Sequence, residues 1–236
     1  MVILVVVAHP DDEVLGCGGS VTKWSLAGHD VHVLFMSDGV SSRFPGKDYR
    51  TQSGKHIQNR KNDAMRAGQI LGTKSTRFLD FPDNRMDSLE LLEVVRPIET
   101  AISELKPYLI VTHHGGDLNI DHRITNSAVM TACRPLPNYC VRRILAIETP
   151  SSTEWQSPES ETSFRPNWHE DISTTLETKI AALTTYQEEM RDWPHSRSID
   201  TVRHLAHWRG SAVGCEAAEA FVLLRNIEGA APDRLA

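Results

Sequence analysis

What this sequence lacks narrows its function before any motif is read. Its four cysteines, Cys17, Cys133, Cys140 and Cys215, are scattered and form no C-x-x-C pair. That argues against a disulfide framework and a thiolate zinc site, and fits a reduced, cytoplasmic protein. Positive charge is also scarce: 25 Lys and Arg against 31 Asp and Glu give a net charge of -6. Without a basic stripe to neutralise phosphates, nucleic acid is not an expected partner. The N-terminal apolar run, Val2 to Ala8, ends in charge and follows no basic segment, so it is too short for a signal-peptide core or a membrane span. No G-x-S-x-G nucleophile elbow occurs, and GCGGSVTKW departs from the G-x-G-x-x-G order of a dinucleotide loop. Internal repeats and low-complexity tracts are missing too.

What is present is an alternating pattern. The chain has 236 residues, 40% of them hydrophobic, enough for one large domain with a full core. MVILVVVA is a continuous β-branched run of the kind buried on both faces of a parallel sheet. Further strands are expected at 30–37, 75–81, 107–114, 142–149 and 220–226, with helices at 18–27, 59–71, 88–105, 121–133, 171–190 and 198–214. The expectation is a single-domain, Rossmann-like α/β fold with a mostly parallel central sheet flanked by helices. The domain would span 1–228, followed by a flexible tail over 229–236. Residues 150–166, rich in Ser, Thr, Glu and Pro, read as an exposed loop or lid.

Two charged clusters fall at expected strand ends. His9, Asp11, Asp12 and Glu13 follow the first strand, and His113, His114, Asp117, Asp121 and His122 follow the fourth. Open parallel sheets bind ligands outside the carboxyl ends of their strands, where these residues sit. A helix cap needs one carboxylate, whereas the first turn carries three beside an imidazole. Imidazole with carboxylate is the donor set of a catalytic zinc site. In the absence of H-E-x-x-H spacing, Fe2+, Mn2+ or Co2+ could take the same ligands.

AHPDDEVLGCGG (Ala8 to Gly19) resembles the signature of the PIG-L or LmbE-like deacetylases, metal-dependent enzymes that remove acyl groups from N-acetylated sugars and related amines. The pair Asp121-His122, the segment KIAALTTYQ (Lys179 to Gln187) and WRGSAVGCEAAEAF (Trp208 to Phe221) follow in the family's order. The resemblance implies His9, Asp12 and His122 as metal ligands and Asp11 as the general base of an amide hydrolysis that uses a metal-activated water. Glu13 is then expected to support the following helix turn or to orient His9. Many family members have a histidine at the position that this chain fills with Asn119 in NIDH, so Asn119 replaces the histidine implied in oxyanion stabilisation. Asn119 and His195, the latter within DWPHSRS, are the further catalytic candidates.

Arg43, Asp83 and His113 are the expected substrate contacts, whereas Arg60 and Asp63 are expected to pair locally on a helix surface. The reading is thus a zinc-dependent deacetylase of a small-molecule N-acetylated amino sugar or glycoconjugate, in a protein able to form homo-oligomers. A de-N-acylase of a non-sugar amide and an inactive sugar-binding relative are the alternatives.

Overall fold

The β-branched run at the N-terminus becomes β1 (Val2–Val7) at the centre of a seven-stranded sheet. This computed structural model describes residues 1–46, 48–137, 139–157 and 163–229. Alternation along β1 feeds two cores. Ile3, Val5 and Val7 face one layer, and Leu4 and Val6 face the other, as the two-residue period of a strand requires. At about 1.5–3 kcal/mol for each fully buried aliphatic side chain, this short strand anchors both layers.

The other strands are β2 (Asp30–Ser37), β3 (Ser75–Phe81), β4 (Leu109–His113), β5 (Arg143–Ile147), β6 (Trp168–Asp171) and β7 (Ala218–Asn226). Their spatial order is β3-β2-β1-β4-β5-β7-β6. Strands β1 to β5 are parallel, and β7 runs antiparallel between β5 and β6. The expected mostly parallel α/β sheet is therefore what forms. One layer holds α1 (Asp12–Leu26), α2 (Tyr49–Leu71), α5 (Leu176–Leu183) and α6 (Ile199–Ser211); α3 (Leu91–Leu105) and α4 (Ile120–Ala132) cover the opposite face.

Several boundaries differ from the sequence expectation. Helix α1 starts at Asp12 rather than 18, so the charged turn leads straight into it. It is broken at Cys17, whose φ of -150° interrupts the helical run, and it approaches its neighbours closely on its glycines. A Cβ on Gly16 would collide with Ile147, and one on Gly19 would lie 2.8 Å from Ile172 Cδ1. Helix α2 begins ten residues early. The 171–190 helix shrinks to α5, because residue 171 ends β6, an edge strand that had not been expected. Residues 230–236 of the expected tail and 158–162 of the expected loop lie outside the described residues.

The topology fixes where a ligand goes. The chain builds outwards from β1 through β2 to β3, then returns to place β4 on the other side of β1. Loops leaving β1 and β4 therefore diverge and open a crevice at the carboxyl edge.

Candidate metal centre and active site

Both charged clusters lie at that edge of the sheet, with His9, Asp11, Asp12, Asp121 and His122 all buried. After β1 the chain turns through His9, Pro10 and Asp11, closed by a hydrogen bond from Asp12 N to His9 O of 3.2 Å. Asp11 adopts a φ of +125°, strained backbone for a residue with a Cβ and the kind of outlier that gathers at functional sites. In return, Asp12 is aimed back across the turn, and its Oδ2 accepts the His9 N–H at 2.8 Å. On the β4 side, Asn119 caps α4 by accepting from Asp121 N at 2.8 Å, which sets His122 in the first turn.

The clusters meet at Asp12. Its Oδ2 is 3.3 Å from His9 Nδ1 and 3.3 Å from His122 Nε2, and these two nitrogens are themselves 3.3 Å apart. Tetrahedral ligands bound at 2.0–2.2 Å lie about 3.3–3.6 Å from one another, so the three atoms have the spacing of a shared cation. Their partners fix the tautomers. His9 Nε2 faces Asp121 Oδ2 at 3.1 Å and Asp83 Oδ1 at 3.2 Å, so it carries the proton and leaves the Nδ1 lone pair towards Asp12. His122 Nδ1 faces Asp117 Oδ1 at 3.0 Å, which frees Nε2 in the same way. A carboxylate on the far nitrogen is the usual orientation device for a metal-ligating histidine. His9, Asp83 and Asp121 form a second trio within ligand spacing of one another, but they use the protonated nitrogen and so support the first.

The electrostatics also call for a cation. Burial pushes the Asp12 carboxyl up, but the His122 and His113 imidazoles outweigh it and hold it well below the ordinary range. Burial disfavours charge on His122, yet Asp12 and Asp117 carry its pKa up to about 9. The carboxylates around His9, led by Asp12, similarly overcome burial and raise it well above 6.5. Without a metal, protons on the imidazoles supply the positive charge that these carboxylates demand; a divalent cation would supply the same charge in their place. Asp12 Oδ1 is buried with no hydrogen-bond partner among the described residues. These residues therefore fit a metal ion.

Asp11 lies beside this group, 2% exposed. Its Oδ2 accepts from Arg60 at 3.3 Å and Arg197 at 3.0 Å, while Oδ1 is buried with no partner among the described residues. Glu13 supports the turn and does not reach His9: Oε2 accepts from Asp11 N at 3.0 Å and Oε1 from Tyr186 Oη at 2.5 Å. Burial raises its pKa to about 8.

The other expected residues are spread around the crevice. Asp83 accepts from Ser42 and touches His9, and Arg43, on the same loop as Ser42, pairs with Glu189 at 2.6 Å. His195 is half-buried, takes a hydrogen bond at Nδ1 from Arg197 N at 3.0 Å, and meets the exposed Trp155 edge-on. Asn119 Nδ2 donates to Asn84 Oδ1 at 3.0 Å. His113 lies behind the site instead of facing substrate: it is fully buried, stacked at 3.8 Å on His122, and accepts Ala8 N–H at 2.9 Å.

Arg60 corrects an expectation outright. It is 4% exposed, donates to Pro10 O at 2.7 Å and pairs with Asp11 and Glu189. Spacing would have found it, since residues 60, 64, 67 and 71 share the buried face of α2. Asp63 pairs locally with Arg66, as expected. Glu189 and Arg197 had no sequence signal, because their partners lie up to 186 residues away.

The chain resembles known proteins in sequence and in fold. A family model, PIG-L, described as GlcNAc-PI de-N-acetylase, matches residues 4–133. The uncharacterized deacetylase YaiS of Escherichia coli K12 is 32% identical over 191 residues, covering 78% of this chain and 90% of its own. The diacetylchitobiose deacetylase of Thermococcus kodakarensis is 28% identical over 217 residues, covering 84% and 75%. Among solved structures, N,N'-diacetylchitobiose deacetylase from Pyrococcus horikoshii superposes with a TM-score of 0.74 at 20% identity, covering 95% of this chain and 84% of the other.

Proposed function

The chain belongs to the PIG-L family of de-N-acetylases, and from that premise we propose that it is a zinc-dependent deacetylase of an N-acetylated amino sugar or its glycoconjugate. The observation that carries the reading is the mutual 3.3 Å spacing of His9 Nδ1, Asp12 Oδ2 and His122 Nε2 at the switch point of the sheet. These residues would hold the metal, and two imidazoles with one carboxylate are a catalytic zinc set with room for a further ligand. When bound, the ion supplies Lewis-acid polarisation of the acyl group and an acidified water.

The chain's own groups do the rest. Asp11 takes a proton at Oδ1, the oxygen with no other partner, and returns it to the departing amine. Asp121 and Asp117 keep His9 and His122 in the ligating tautomer. Asn119 has two Nδ2 hydrogens, gives one to Asn84, and has the second for the oxyanion that develops on the acyl oxygen. Arg43, Asp83 and His195 line the approach, where guanidinium, carboxylate and imidazole suit sugar hydroxyls. Among the described residues, no helix is long and apolar enough to cross a membrane.

The test is acetate release by the metal-loaded enzyme from a panel of N-acetylated sugars, glycoconjugates and N-acetyl peptides. Release from the sugars but not the peptides is expected. Release from peptides alone, or from nothing in the panel, would contradict the proposal.

A further inference from the structure

Glu189 is a buried carboxylate that the reaction does not use, and it holds three arginines. It is 4% exposed, in the turn after α5. Its two oxygens receive Arg43, Arg60 and Arg197, the last at 3.2 Å. Two of these guanidinium groups also reach Asp11 Oδ2: Arg197 Nη1 meets both carboxylates, and Arg60 divides its fork, Nη1 to Asp11 and Nη2 to Glu189. Arg197 is tied a third way, by Nε to Ser151 Oγ at 2.6 Å. The segments that carry Asp11, Arg60, Ser151, Glu189 and Arg197 are thus fastened to one another around a single buried carboxylate.

The consequence for Asp11 is geometric. A carboxylate has two oxygens of equal basicity and turns freely unless it is held. Here Oδ2 is occupied by two planar donors whose own orientation Glu189 fixes, and Oδ1 has no partner among the described residues. We infer that Glu189 is a positioning residue for the base: by holding Arg60 and Arg197 it locks Asp11 in the orientation that keeps Oδ1 as the proton-accepting oxygen. The inference rests on the proposed deacetylation with Asp11 as base. Surface ion pairs have little such effect because they can rearrange, but Arg60 and Glu189 are both buried. A misplacement of about 1 Å in a reacting group is enough to cost on the order of 10²-fold in rate.

The test is a double-mutant cycle of Glu189→Gln with Asp11→Asn, read as acetate release from an N-acetylated sugar with metal content measured on the same samples. Glu189→Gln alone should lower kcat by about 10²-fold with KM and metal content close to wild type. On the Asp11→Asn background it should change nothing further, since no base is left to orient. A structural role would lower both backgrounds alike. An unchanged kcat, a loss confined to KM, or losses that multiply across the two substitutions would overturn the inference. Should Glu189→Gln fail to fold, Arg197→Lys replaces it in the cycle, because Arg197 is partly exposed and Lys keeps the charge but loses the fork. The same outcomes then decide. A wild type that releases no acetate from any sugar overturns the proposed function and this inference with it, whereas an active wild type with an unaffected variant overturns this inference alone.

Discussion

Asp11 and Asp12 are neighbours in sequence with opposite partners. Asp12 faces imidazoles, and Asp11 faces guanidinium groups. The left-handed φ of +125° at Asp11 falls at the junction between these two environments. This division predicts two distinguishable defects. Asp11→Asn should lower turnover by about 10²–10⁴-fold while metal content stays near that of wild type. His122→Ala should lose the metal itself, and activity as a consequence. Metal analysis alongside initial rates checks both: a fully active Asp11→Asn enzyme, or undiminished metal in His122→Ala, would contradict the assignment. At this scale the sequence was legible where side chains act locally. The turn His9 to Glu13 and the pair Asp121-His122 are short and dense in donors, so their chemistry could be read directly. Glu189 and Arg197 were not legible, because their significance depends on which distant residues the fold brings to them.

Helix α1 shows why element boundaries were harder to read than element types. Its glycines hid its true start, since glycine weakens helices in isolation, yet here they permit close approach to Ile147 and Ile172. After the break at Cys17 the helix restarts on two backbone donors, Gly19 N and Ser20 N, both held by Glu219 from β7 at 2.9 and 2.7 Å. Lys179 of α5 balances that carboxylate at 2.6 Å, so α1, β7 and α5 meet at the break in α1. Gly19→Ala should therefore destabilise the fold by about 1–3 kcal/mol through overpacking, seen as a lower urea midpoint with an unchanged slope; an unshifted midpoint would mean that Ile172 yields freely. Strand β6 was missed for a related reason. Its four residues, Trp168 to Asp171, carry no alternation and form a strand only by pairing with β7, some fifty residues on.

For the whole molecule, the order of strands matters more than any one of them. β1, β2, β4 and β5 were recognisable because parallel strands buried on both faces are largely apolar, and their alternation with helices implied the sheet. That sheet has its switch point between β1 and β4, the two strands whose ends carry the donors. Folds of this kind host many chemistries, so the activity rests on the site. Because the proposed ligands lie on separate elements, the ion should bind the folded chain and not the unfolded one. Zinc at about 100 times its Kd should then add about 2.7 kcal/mol, a rise in Tm of roughly 5–10 °C for a domain of this size. Differential scanning calorimetry of chelated and metal-loaded protein measures it, and equal Tm values would argue against a site assembled by folding.

The most direct test of the account is a titration of metal-free enzyme with zinc, in which acetate release from an N-acetylated sugar is followed against metal bound per chain. Activity should rise in proportion to occupancy and level off at one ion. Full turnover in the metal-free protein would contradict it.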